Sequence, residues 1–122
     1  MGLFDFLKKK EPVVDINATL SNKEPGAVIM DVRDMLYFGK GHVPEAISLP
    51  MLIVDSWRDV LPADKNVPIY VYGKDDEEAT RAAGYLTDKH FLAYTNVKNM
   101  GGFGAYTGEK EEGLKPKKVI PF

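Results

Sequence analysis

Residues 67–86 read VPIYVYGKDDEEATRAAGYL. The opening VPIYVY is rich in β-branched and aromatic residues and forms the clearest strand of the chain. It stops at Gly73. Four acids follow in a row, Asp75, Asp76, Glu77 and Glu78. Behind them Ala79, Ala82, Ala83 and Leu86 recur at i, i+3, i+4 and i+7, the apolar face of a helix. A strand that ends in a short loop at a helix N-terminus is a common place to hold an anion or carry a nucleophile. Here the place holds a glycine and a row of carboxylates.

The same alternation extends in both directions. AVIMDV (27–32) is a continuous apolar run ending at an acid, which is how a strand buried on both faces reads. AISL (46–49) and AYTNV (93–97) are two further strand candidates, and VVDI after Pro12 is a short one. INATLSNKEPG holds a short helix that stops at Pro25-Gly26. DMLYFGKGHVP reads as a helical turn followed by a glycine-broken loop. In PMLIVDSWRDVLP, Ile53, Trp57, Val60 and Leu61 give the spacing of one amphipathic helix between Pro50 and Pro62. NMGGFG reads as a turn, with Gly101 and Gly102 supplying positive φ. Strands alternating with helices predict an α/β fold, a three-layer domain whose central, mostly parallel sheet carries helices on both faces. The expected organisation is an amphipathic, basic N-terminal segment (1–12), one domain (13–108) and a polar tail (109–122), whose Val119, Ile120 and Phe122 are candidates to pack back on the body.

The 122 residues are 44% hydrophobic and 28% charged, the composition of one globular domain. A net charge of −2 gives no drive toward nucleic acid. No apolar run nears the roughly 18–20 residues of a membrane span. The absence of cysteine excludes disulfides, thiolate metal sites and a cysteine nucleophile. MGLFDFL is too short for a signal h-region and its lysines follow it, so a cytoplasmic location is expected. Leu3, Phe4, Phe6 and Leu7, with Lys8, Lys9 and Lys10 behind them, admit two readings. One is a weak membrane-surface contact through residues 1–10; the other is a short helix capping the core or a frayed terminus. So few apolar residues hold a bilayer only marginally, which favours the second.

One block is distinctive. DVRDMLYFGKGHVPEAISLP (31–50) resembles the signature of rhodanese-like domains: Asp31-Val32-Arg33, then Gly41-His42-Val43-Pro44 ten residues on, then Ala46. YTNVKNMGGFGAY resembles that family's late strand and Gly-Gly turn. The resemblance spans about Val13 to Tyr106. It implies the rhodanese-like fold, with Asp31, Arg33, Gly41 and His42 as structural motif residues. It also implies a catalytic cysteine immediately after the strand IYVY. That cysteine carries sulfur as a persulfide and opens a loop, roughly Cys-x-x-Gly-x-Arg-Ser, whose amides cradle the charge.

This sequence departs from the pattern at that loop. The cysteine position falls on Gly73, the loop glycine on Asp76, the arginine on Glu78 and the serine on Ala79. The degenerate loop is thus Gly73, Lys74, Asp75, Asp76, Glu77, Glu78 and Ala79. Gly73 cannot attack or carry sulfur. The acids read first as helix punctuation: Asp75 as N-cap, Glu78 three residues on to complete a capping box, and Asp76 and Glu77 at the positive end of the dipole. Such a cap is worth about 1 kcal/mol. Like charges about 4 Å apart cost about 4 kcal/mol at an effective dielectric near 20, so the loop should reject the family's anionic substrates. Cation binding by the acidic row is the sharper alternative, but it lacks the ligand spacing of a calcium loop. No metal and no cofactor are expected.

The expected function is therefore a catalytically inactive rhodanese-like module that binds or regulates, with a protein partner. The rival readings are an enzyme of other chemistry in the same pocket, an accessory to a sulfur carrier whose partner brings the cysteine, and a membrane-surface adaptor.

Overall fold

The structure, a computed structural model, describes residues 11–114. The readings of Leu3 to Lys10, and of Lys115 to Phe122, lie outside the described residues. Four strands form one sheet: β1 (Val28–Asp31), β2 (Ile47–Ser48), β3 (Ile69–Gly73) and β4 (Val97–Gly102), in the order β2-β1-β3-β4. Every neighbouring pair is parallel, with Val28 opposite Ile69 and Asp31 opposite Tyr72. Parallel strands need crossovers, and these place the helices: α1 (Ile16–Ser21), α2 (Met35–Lys40), α3 (Trp57–Val60) and α4 (Asp76–Thr87).

The side-chain period of two divides the core between the two faces. On one face Ile69 and Val71 join Met30, Val32, Trp57, Ala82, Ala83 and Leu86. On the other, Tyr70 and Tyr72 join Ile16, Ile29, Phe38 and Met100. All five residues of β3 are buried, so the apolar run is a central strand covered by helices on both sides. The four residues read as the buried face of α4 are fully buried there.

Four local readings differ from what is found. The Pro50–Pro62 segment is not one helix. A 3₁₀ stretch (Met51–Ser56) leads into the short α3, with non-helical torsions at Ile53 (φ −108°, ψ 29°). The start of the segment is tied to β1 by Met51 N–H donating to Val32 O (3.1 Å), and the buried Trp57 donates its indole N–H to Pro50 O (3.1 Å). Meeting both anchors breaks the 3.6-residue period, so Trp57 and Leu61 are buried while Ile53 and Val60 stay exposed.

The last strand is Val97–Gly102 and not 93–97. Tyr94 and Thr95 leave the sheet: Tyr94 donates its hydroxyl to Pro62 O, and Thr95 N–H bonds Lys65 O (2.9 Å). Pairing with β3 overrides the weak intrinsic preference of Asn99, Gly101 and Gly102 for a strand. Those residues therefore close β4 instead of forming a turn. Gly101 alone of the two glycines has positive φ (+71°), and Gly102 is extended (φ −80°). The short strand expected in VVDI reduces to one bridge, Val13 to Asn99. α1 stops at Ser21, ahead of Pro25; Asp15 caps its start and Asn22 Nδ2 donates back to Ala18 O (2.9 Å).

Residues 109–114 are tied to the body. Glu111 forms an antiparallel bridge with His42, and Gly113 N–H donates to Gly39 O (2.9 Å).

Candidate functional site

Parallel α/β sheets present their ligand-binding crevice at the carboxyl ends of the strands. Two loops leave that edge side by side, one from β1 and one from β3. They are joined at the base by Val32 N–H donating to Tyr72 O (3.1 Å).

The β1 loop is built around a buried ion pair. Asp31 is fully buried at the strand end. Its carboxylate accepts Arg33 Nη2 at 2.8 Å, Arg33 Nε at 3.2 Å and the Arg33 backbone N–H at 2.9 Å. Arg33 Nη2 also donates to Gly41 O at 2.6 Å, which closes the loop across α2. Its guanidinium lies over the Phe103 ring, 4.1 Å from the centroid. Tyr72 accepts a hydrogen bond from Val43 N–H on its hydroxyl (3.1 Å). Burial, followed by the nearby Asp31 charge, raises the Tyr72 phenol well above its ordinary range. His42 is buried, stacked on Phe38 with centroids 3.7 Å apart, and its Nδ1 lies 2.8 Å from Phe38 O. Asp31, Arg33 and Gly41 are thus in direct contact, and His42 attaches to the same loop through Phe38.

The β3 loop is closed by its own carboxylates. Asp75 Oδ1 accepts Glu78 N–H at 2.8 Å, the N-cap half of the capping box. The return half is displaced by one residue: Glu78 Oε1 accepts Lys74 N–H at 2.9 Å and not the cap's own amide. The Asp76 side chain turns away from its own helix and accepts Gly102 N–H at 2.8 Å, fastening the start of α4 to the end of β4. At Gly101, with φ +71°, a Cβ would collide with that same Asp76 carboxylate. Lys74, Asp75, Asp76 and Glu77 are exposed, whereas Gly73 and Ala79 are buried.

Gly73 is closely packed. A Cβ placed there would stand 3.0 Å from Ala79 N, 3.0 Å from Glu78 Cβ and 3.1 Å from Glu78 Cγ. The side chain of Glu78, folded back toward Lys74, fills the space into which a side chain at 73 would extend. Between α2 and the 3₁₀ stretch, next to Glu78, lies a groove of about 540 Å³ whose lining includes Val32, Asp34, Phe38, Ser48, Met51 and Leu52. Among the described residues, no three His, Asp or Glu side chains converge as a metal ion requires.

The match with known proteins follows this geometry. A family model described as rhodanese-like domain matches residues 15–109. The chain belongs to the rhodanese-like domain family. Two relatives are named thiosulfate sulfurtransferase GlpE. The protein from Pseudomonas syringae pv. syringae is 34% identical over 82 residues, and that from Pseudomonas savastanoi pv. phaseolicola is 31% identical over 81. Each match covers 66% of this chain and 73% of the relative. Among solved structures, the rhodanese-like domain of the Anabaena sp. Alr3790 protein is similar, with TM-score 0.69 and 28% identity over 92% of this chain and 89% of that one. A rhodanese from E. coli solved with anions is 25% identical with TM-score 0.58, over 71% of this chain and 99% of that one. Unlike any rhodanese-like domain that carries sulfur on a cysteine, this one contains no cysteine at all.

Several residues of this rhodanese-like site escaped the sequence reading. Phe103, which stacks on Arg33, falls in the stretch that reads as a turn. Nothing in the sequence links Asp76 to β4. The groove residues Asp34, Met35, Ser48 and Leu52 carry no motif. One signal was available for them: Met35, Leu36, Tyr37 and Phe38 form a continuous apolar run in a single helical turn, more than one face of a short helix can bury.

Proposed function

We propose that this chain is a rhodanese-like module that binds a protein partner and transfers no sulfur. The observation that carries the reading is the environment of Gly73. At the position where the family resemblance calls for a thiol there is no side chain, and the space is taken by Glu78 and by the Ala79 backbone. The loop amides of Lys74 and Glu78 are engaged by the Glu78 and Asp75 carboxylates. A thiosulfate approaching this loop meets the charges of Asp75, Asp76, Glu77 and Glu78 and finds the Lys74 and Glu78 amides already engaged. The sulfurtransferase activity in the relatives' name therefore does not carry over to this chain. No helix among the described residues is long and apolar enough to cross a membrane. A cytoplasmic setting belongs to the reading, and cell fractionation tests it.

The direct test is a thiosulfate:cyanide assay on three proteins: the native chain, Gly73→Cys, and a loop replacement combining Gly73→Cys, Asp76→Gly, Glu78→Arg and Ala79→Ser. The native chain and the single variant should show no turnover, because a thiol alone neither clears Glu78 nor frees the amides. Turnover is expected first in the loop replacement. Clear turnover by the native chain or by Gly73→Cys would overturn the reading.

A further inference from the structure

The groove beside Glu78 carries a chemistry of its own. Its floor is apolar and buried, formed by Val32 and Phe38. Its rim is apolar and exposed: Leu52 is 93% accessible and Met35 53%. Leu36, at 72%, extends the same surface from the next position of α2. Exposed apolar area concentrated at a cleft marks a surface that meets something.

The polar groups in the lining are few, and their charges share one sign. Among the described residues, two charged side chains line the groove, Asp34 and Glu78, and both are acids. Each spends one oxygen inside the protein: Asp34 Oδ1 accepts Leu36 N–H at 2.8 Å, and Glu78 Oε1 accepts Lys74 N–H at 2.9 Å. The second oxygen of each carboxylate has no hydrogen bond among the described residues. Ser48, also in the lining, has a buried hydroxyl oxygen with no hydrogen-bond partner among the described residues. A buried hydroxyl left this way is costly, and an occupant that pairs it recovers that cost.

An anion or an anionic lipid surface is repelled by both carboxylates. A purely apolar occupant leaves their outward oxygens and the Ser48 hydroxyl unpaired. We propose that the groove receives an apolar segment of a partner protein that carries lysine or arginine among its bulky side chains. This rests on the binding-module reading above and specifies the partner's chemistry. The aliphatic or aromatic side chains cover Val32, Phe38 and Leu52, and the cation sits against Asp34 and Glu78. Compared with the anion site of a rhodanese, the charge preference of this edge is inverted.

The test is an amide NMR titration of the labelled full chain with two probes, acetyl-Leu-Lys-Phe-Lys-Leu-amide and acetyl-Leu-Glu-Phe-Glu-Leu-amide. They share apolar content and differ in charge. The lysine peptide should shift Ser48, Ile53 and Glu78 saturably. The glutamate peptide should bind about tenfold more weakly, the scale of two partly exposed ion pairs. Leu52→Ser, at an exposed position, should weaken both. The pair Asp34→Asn and Glu78→Gln keeps the oxygen acceptors for Leu36 and Lys74 and should erase the difference between the peptides. Equal binding of the two peptides by the native chain, no saturable binding, or shifts away from the groove would overturn the inference. So would Leu52→Ser displacing resonances of residues 1–10 or 115–122 in the unliganded chain, which would make the chain's own segment the occupant. Thiosulfate, titrated separately, keeps the two claims apart. A saturable thiosulfate response at Gly73 to Ala79 defeats the binding-module reading, whereas peptide failure with thiosulfate silent defeats only this inference.

Discussion

Two loops leave adjacent strands at the same edge of the sheet, and they are built in opposite ways. The β1 loop turns inward: Asp31 and Arg33 are buried, paired to each other, and tied through Gly41 to the far side of the loop. The β3 loop turns outward: Asp75, Asp76 and Glu77 are exposed and Glu78 is half-buried, and Asp75 and Glu78 spend themselves on local amides. The first arrangement holds the fold and cannot change one partner without stranding the other. The second is a set of separable caps, each replaceable at modest cost. A scaffold can therefore keep the first loop intact while the chemistry of the second is rewritten, as the Asp-Val-Arg block and the acidic row of this chain illustrate.

The sharpest way to break that contrast is Arg33→Ala. It strips the guanidinium from the buried Asp31 carboxylate, and it removes the donor to Gly41 O. Losing one member of a buried pair costs about 3–5 kcal/mol, so the denaturant midpoint should fall steeply. A loss under about 1 kcal/mol would mean that the pair behaves like a surface bridge and the two loops are not so different. Next comes Gly73→Ala. The added methyl meets Glu78 Cβ and the Ala79 backbone at 3.0 Å, and overpacking of this kind costs about 1–3 kcal/mol. An unchanged unfolding midpoint would show that the loop has slack. The smallest effect belongs to Asp75→Ala, which removes the acceptor for Glu78 N–H at an exposed helix start. Thermal unfolding should record a loss of about 1 kcal/mol.

The asymmetry also explains what could be read in the sequence. Patterning made the layers legible: the continuous apolar runs around Val28–Asp31 and Ile69–Gly73, and the 3.6-residue repeat of Ala79, Ala82, Ala83 and Leu86, reflect burial directly. Short-range chemistry made the Asp75 cap legible, because its donor lies three residues away. Long-range bonds were not legible. Nothing local assigns Asp76 to Gly102, Trp57 to Pro50 O, or Phe103 to the face of Arg33. The last strand was misplaced for the same reason: Ala93 to Val97 has the better strand composition, but Val97 to Gly102 has the neighbour. The groove could not be read because it is a gap between elements, framed by α2 and the 3₁₀ segment that the sequence presented as one longer helix.

The bridge between His42 and Glu111 has a consequence for the order of events during synthesis. The Gly39–His42 corner lies in the first half of the chain, yet it is pinned by residues 111–113. A nascent chain that has emerged only as far as β4 possesses every strand of the sheet but still lacks that clasp. The corner that offers Gly41 O to Arg33 is then held from one side only. Such late-closing contacts, distant along the chain, slow the final step of folding. Among the described residues, they also make the segment just before Leu114 the last to lock into place.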